Sequence, residues 1–219
     1  MRKLVKGAKP QVLVENAANW THELISAVDG NVGVATQSKY RNIEIRDALL
    51  LETHRKCAYC ESVVGATDYS HIEHIYPKGA FPDKTFDWDN LTISCPKCNI
   101  KKGGAVPSTH NFIHPYNDDP EGRVKFLGPI AHHGVGDVSA LTFLRWLDLN
   151  RAELLERRKS VFECVQRVFD AAMTLSGEAR SALLEASFRS MTDPGAEHSQ
   201  VAKCAFLVFS QQYKIELPC

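Results

Sequence analysis

The chain has 219 residues, 44% of them apolar, enough to bury a full core in one domain or in one domain with a helical annex. Twenty-six basic residues balance twenty-six acidic ones, which excludes a free nucleic-acid binder that relies on long-range attraction; any such contact has to be local or assisted. No apolar run approaches the ~18 residues of a membrane span, and the first twenty residues lack the apolar block of a secretory signal, so the expectation is a cytoplasmic chain without membrane contact.

Residues 1–56 read as an N-terminal helical segment. Within "SKYRNIEIRDALLLETHRK", Ile43, Ile45, Leu49 and Leu50 supply apolar helical spacing, and Ser38 is placed as a cap. Residues 57–104 break that pattern with Cys, His, Pro and Gly. Four of the seven cysteines fall in two short pairs, "CAYC" and "CPKC", which in a cytosolic chain points to metal rather than disulfides. Cys57, Cys60, Cys95 and Cys98 can close a tetrahedral zinc site that leaves no position for substrate, so the zinc is expected to be structural. Cys164 and Cys204 lie in apolar helical runs and Cys219 ends the chain, so these three read as packing or incidental residues.

Residues 105–136 show little periodicity and read as a connecting loop. From 137 to 219 helical spacing returns in "DVSALTFLRWLDL", "NRAELLERRKSVFECVQRVFDAAMTL" and two further stretches separated by Pro194. This predicts a C-terminal helical bundle, with Asn150 and Glu153 as a capping box. Its Phe, Leu and Val periodicity, with no cluster of chemical residues, suggests support or docking to a protein partner.

Between the cysteine pairs lies "HIEHIYPKG", followed by "DNL" and, after Cys98, by "NIKKG". In that order, over residues 57–104, these features resemble the HNH nucleases of the ββα-metal fold. The resemblance implies an α+β chain: a ββα-metal module with a four-cysteine zinc site, flanked by N-terminal helices and a C-terminal bundle. It implies that Glu73 is a metal ligand, His74 the general base, Asn90 the residue that fixes the histidine loop, and Asn99 the second metal ligand. In some related nucleases a further histidine ligand lies one helical turn beyond the Asn99 position; here that place is Gly103. Water or His71 would then complete the metal's shell.

The chemistry supports these roles, since phosphodiester hydrolysis needs a base for the attacking water and a cation for the developing charge. The oxygen donors of Glu73 and Asn99 favour Mg²⁺ or Mn²⁺. His71 shares a strand face with Glu73, where it would serve as a ligand, as a hydrogen-bond partner of one, or as a structural histidine. Lys101 and Lys102 follow Asn99, either as phosphate contacts or as a solvated basic tail. Because strand neighbours face opposite ways, Glu73 and His74 can serve one phosphate only if the strand becomes irregular there, which Pro77 and Gly79 encourage. Beyond the module, "NFIHPYNDDP" and "WLDLNRAELLERR" resemble flanking segments of HNH proteins encoded beside an ATPase in Septu-type antiphage systems. That likeness implies an ATPase partner and cleavage of nucleic acid, DNA ahead of RNA. A non-catalytic zinc-stabilised nucleic-acid or protein-binding module would carry the same cysteines. It has no need of Glu73, His74, Asn90 and Asn99 together.

Overall fold

Helical spacing is obeyed at both ends of the chain. In the computed structural model, which describes residues 1–29, 35–65, 69–107 and 112–216, the N-terminal helices are Gln11–Asp29 (α1) and Ile43–Glu52 (α2), with a 3₁₀ turn at Ala35–Arg41 between them. Ile45 and Leu49 sit one turn apart, both fully buried, on the face that α2 packs against the central strands. The cap of α2 is Asn42, whose side chain accepts from the Glu44 N–H at 2.8 Å. Ser38 lies inside the 3₁₀ turn instead, because the helix starts four residues later than its position implies.

His71–His74 (β1) and Leu91–Ser94 (β2) pair antiparallel, with His71 opposite Ser94 and His74 opposite Leu91. Pro96–Lys102 (α3) follows at once. Pro96 fits its first turn, where an N–H has no helical partner, and Gly103, at φ 54°, takes the left-handed exit that side chains resist. Two strands and a helix thus form the centre of the molecule, with Ile72, Leu91 and Ile93 buried between them and α1 and α2.

The stretch 105–136 is not a plain connection. It contains a short helix, Pro120–Arg123 (α4), and a hairpin of Val124–Leu127 (β3) and Ile130–His133 (β4), turned at Gly128 (φ 58°) and Pro129. Val124, Phe126 and Ala131 point inward while Lys125 and Leu127 are exposed. Four-residue strands between glycine and proline are too short for alternation to stand out from loop composition.

Val138–Trp146 (α5), Ala152–Met173 (α6), Gly177–Thr192 (α7) and Ser199–Tyr213 (α8) make up the C-terminal bundle. The α6 helix packs on α7 and α8 around Phe169, Phe206 and Phe209. Val161 and Phe162 touch both this core and the central one, so the bundle continues the core of the strands. Asn150 and Glu153 do not form the expected box. Arg151 occupies the cap position of α6, and Asn150 pairs with the backbone of Ala131 on β4 in both directions, at 2.8 and 2.9 Å. Glu153 turns to Lys97 and Arg151. Cys164 and Cys204 are half-buried in helices, and Cys219 lies outside the described residues. Among the described residues no helix is long and apolar enough to cross a membrane.

Phe169 is fully buried and meets three aromatic rings, so Phe169→Ala is expected to cost ~3–5 kcal/mol through weakened packing and the cavity left behind. Denaturant titration checks the loss. Metal analysis of the same variant should show its zinc retained, since the thiolates lie in the other core.

Candidate active site

Four thiols meet where two turns converge. The Sγ atoms of Cys57, Cys60, Cys95 and Cys98 lie within 4.8 Å of one another, and Cys60 and Cys95 are 3.9 Å apart. A zinc ion with ~2.3 Å bonds to four thiolates sets sulfurs roughly 3.8 Å apart, so the cluster fits zinc without rearrangement. Its chemistry agrees, because burial pushes the Cys57 thiol upward and a divalent cation is what makes four adjacent thiolates tolerable. The first turn is framed by the Lys56–Val63 bridge and tied to β2 by the Ala58 N–H on the Ile93 carbonyl at 2.9 Å. The second is the start of α3, where Cys95 caps the helix through the Cys98 N–H.

Arg151, which sequence reasoning missed, directs its guanidinium at the Cys95 and Cys98 sulfurs at 3.8–3.9 Å. Burial alone pulls this group down, but the thiolates of Cys98, Cys60 and Cys95 more than offset it and hold Arg151 charged. No spacing rule links residue 151 to the cysteines. Only the docking of α6 does.

Because α3 is anchored at Cys95 and Cys98, the residues that follow are fixed against β1. Asn99 Nδ2 lies 2.8 Å from His71 Nδ1, and Lys102 Nζ lies 2.7 Å from Glu73 Oε1 and donates to the His74 carbonyl at 2.8 Å. His71, Glu73 and Asn99 therefore share one side of the strand. Lys102 departs from the expectation of a phosphate contact: it is 2% exposed and committed to Glu73, a buried carboxylate that needs a cation beside it. Burial raises the Glu73 pKa and the Lys102 ammonium pulls it back. Lys101 stays half-exposed and pairs with Asp148 at 3.3 Å.

His74 is the last residue of the β1 ladder, paired with Leu91. The ladder runs through His74, its last member, and the chain bends at once after it, at Ile75 and Tyr76, so the irregularity comes one residue later than expected. The His74 ring leaves this end of the strand with Nε2 on the Thr85 carbonyl at 3.0 Å and stands edge-on to Tyr40 at 4.6 Å. A carbonyl only accepts, so Nε2 carries the proton and Nδ1 keeps the lone pair. Burial lowers the His74 pKa to about 4, helped by Lys78 and Lys102 and opposed by the bond to Thr85.

Asn90 is 2% exposed and spans the loop after His74. Its Oδ1 accepts from the Tyr76 N–H at 2.6 Å, and its Nδ2 donates to the Tyr76 and Lys84 carbonyls at 3.0 and 2.8 Å. The bond to Lys84 fixes the backbone immediately before Thr85, and so the carbonyl that holds His74. Beside His71 and Asn99 a cavity of about 310 Å³ opens, lined also by Tyr40, Arg41, Arg46 and Tyr69.

Residues 57–104 match the HNH endonuclease family model. The chain is 24% identical over 229 aligned residues to the Septu protein PtuB of Bacillus thuringiensis, covering 99% of this chain and 85% of that protein. A second Septu protein PtuB, from Bacillus mycoides (strain KBAB4), is 26% identical over 171 residues, 62% of this chain and 58% of that protein. Protein ea31 of Escherichia phage lambda is 35% identical over 75 residues, 33% of this chain and 24% of that protein. Residues 57–104 are an HNH endonuclease domain, in a chain that resembles Septu PtuB proteins along nearly its whole length.

Purified protein should carry one zinc per chain by elemental analysis, and Cys98→Ser should lose it together with the cooperative unfolding transition. Arg151→Ala should keep the fold but surrender zinc to a colorimetric chelator faster than the parent, because the thiolates lose their compensating charge. Equal rates in the two proteins would remove that role from Arg151.

Proposed function

We propose that the chain is a metal-dependent endonuclease that hydrolyses phosphodiester bonds in DNA. We further propose that it works in the cytoplasm as the nuclease component of a Septu-type antiphage system, beside an ATPase subunit. The observation that carries the reading is the condition of His74: a buried imidazole, neutral at pH 7, with Nε2–H held on a backbone carbonyl and Nδ1 left as a base. A binding module has no use for such a group.

In this chemistry His74 takes the proton of a water molecule at Nδ1 as the water oxygen attacks phosphorus and the bond to the leaving oxygen breaks. Thr85 keeps the ring in the right tautomer, and Asn90 keeps Thr85 in place. Glu73 and Asn99, with His71 alongside, would hold Mg²⁺ or Mn²⁺, and a divalent ion bound there supplies charge neutralisation to the phosphate. The donor set suits such an ion: Asn99 turns its amide nitrogen to His71, which leaves the amide oxygen for a cation, and Glu73 has one oxygen beyond its contact with Lys102. Lys102 opposes the effect of burial on the Glu73 carboxylate. The antiphage assignment draws on the similarity to Septu proteins across 99% of the chain. Overall neutrality fits a division of labour in which a partner contributes nucleic-acid affinity.

His74→Ala is expected to lower DNA cleavage by about 10²–10⁴-fold, the usual contribution of a general base, with zinc content and circular dichroism unchanged. Glu73→Ala and Asn99→Ala should instead raise the Mn²⁺ concentration needed for half-maximal rate. If His74→Ala cuts at the parental rate under matched metal, the mechanism is wrong. If the parent cuts neither DNA nor RNA with its genomic neighbours present, the non-catalytic binding module becomes the better reading.

The pH profile offers a separate check. A histidine whose pKa is depressed stays neutral, and so competent as a base, at pH values where an ordinary imidazole of pKa ~6.5 is already protonated. The cleavage rate should therefore be level from neutral pH down to about pH 6 and fall only below it. A rate that halves near pH 6.5 would mean that His74 is solvated during turnover.

A further inference from the structure

The cavity next to His71 and Asn99 has a composition that the proposed hydrolysis does not use. Among the described residues its lining contains two arginines and two tyrosines and no carboxylate. Arg41 comes from the end of the 3₁₀ turn and Arg46 from the first half of α2, so both stand outside the HNH domain. Among the described residues no acidic side chain pairs with either; Arg41 reaches only the Tyr40 hydroxyl, at 3.4 Å. Elsewhere carboxylates do pair with basic groups, as at Lys6, Lys56, Arg123 and Arg157, whereas these two arginines share one concavity without such a partner among the described residues. Two guanidinium groups converging on one concavity without a counter-ion form a site for an anion, and their planar donors suit phosphate oxygens.

Two more features narrow the ligand. Tyr69 is 85% exposed at the rim, where its aromatic face is packed against none of the described residues and can take a flat partner. The volume, about 310 Å³, is that of a small-ligand pocket and admits one nucleotide, not a double helix. Tyr40 joins this cavity to the candidate base, since its ring lines the one and meets His74 edge-on.

We infer that this cavity binds one unpaired nucleotide of the substrate strand next to the cleavage position, its phosphate on Arg41 and Arg46 and its base on Tyr69. The inference rests on the endonuclease reading for its place in catalysis. It deepens that reading by naming the substrate class as single-stranded or locally unpaired nucleic acid. The arginines act here as binding residues and touch no reacting atom.

The test measures binding of the full-length chain to a fluorescent single-stranded DNA oligonucleotide by anisotropy at low salt, without added divalent metal, so that nothing is cut. The same sequence as a duplex is the comparison. Combined Arg41→Ala and Arg46→Ala should weaken single-strand binding at least about tenfold and flatten the dependence of log affinity on log salt by about 0.7 for each phosphate no longer neutralised. Tyr69→Ala should weaken it at least about fivefold with the salt slope unchanged, and Tyr69→Phe should restore it. Zinc content and circular dichroism report folding, and Arg41→Lys with Arg46→Lys, which retains charge, should bind between the parent and the alanine variant. Parental affinity in the double alanine variant, or no binding by the parent, overturns the inference. So does tighter binding of the duplex with Tyr69→Ala silent. Loss of binding in these variants alongside a parent that never cleaves would sustain the binding site and defeat the nuclease reading. Cleavage by a parent whose arginine variants bind normally would do the reverse.

Discussion

The tetrahedral demand of four thiolates sets the geometry on which the candidate chemistry depends. Zinc at Cys57, Cys60, Cys95 and Cys98 would close the long excursion of residues 61–94, which carries β1 and the histidine loop, and would fix the direction in which α3 leaves the cluster. From there the helix has no choice about what it presents. Asn99 follows Cys98 directly and meets His71; Lys102, one turn later, meets Glu73. A shift of α3 by one residue would rotate it by about 100° and separate all four groups. The four-cysteine cluster and the group of His71, Glu73, Asn99 and Lys102 are therefore tied together through α3, so that what anchors the first also positions the second.

Charge compensation follows the same economy of parts. Four thiolates on one divalent ion would leave a net negative cluster where three of the four cysteines are buried. Arg151, at the start of α6, answers it from the bundle side. The neighbouring Arg158 is 1% exposed, and burial lowers it to about 10, which leaves it cationic at neutral pH, held by the Leu149 carbonyl and by the face of Phe126. The bundle docks on the zinc module partly through these cations, so its place in the fold is electrostatic as well as apolar. Glu73 and Lys102 form a second buried pair. Such a pair gains little stability over apolar residues of the same volume; what it does here is fix the Glu73 carboxylate beside α3, with the ammonium opposing the effect of burial.

Much of this was legible in the sequence because its signals are local. Each cysteine pair, the proline at the start of α3 and the glycine at its end lie within a few residues of the turn or helix end they determine, and Glu73, His74, Asn90 and Asn99 stand out by their order along the chain. Helical spacing exposed the bundle for the same reason. What escaped detection depends on distant partners. Asn150 looked like a helix cap, yet the β4 backbone at Ala131 offered it two hydrogen bonds where the cap offered one. Lys102 looked like a solvated lysine until α3 turned it inward. The hairpin of β3 and β4 is stabilised by what α5 and α8 place against it, a contact that four-residue strands cannot announce. The irregularity expected at Glu73 and His74 comes one residue later, because Leu91 still pairs with His74 and only then does the chain bend, with the Thr85 carbonyl and Tyr40 holding the ring.

A net charge of zero stands in tension with a polyanionic substrate, and the inferred role of Arg41 and Arg46 would resolve it. Uniform basicity would attract any nucleic acid, single or double, productive or not, with an affinity governed by salt. Two uncompensated guanidinium groups in a concavity act at short range, where low-dielectric walls concentrate their field, and they leave the rest of the surface neutral. The discrimination then rests on shape, since only a strand that can place a nucleotide inside the cavity meets both arginines. These residues come from α2 and the turn before it, while His71 and Asn99 come from the HNH domain. Neither segment alone forms the surface, so on the proposed reading the helices that precede the domain would take part in substrate selection together with the strand that carries His74.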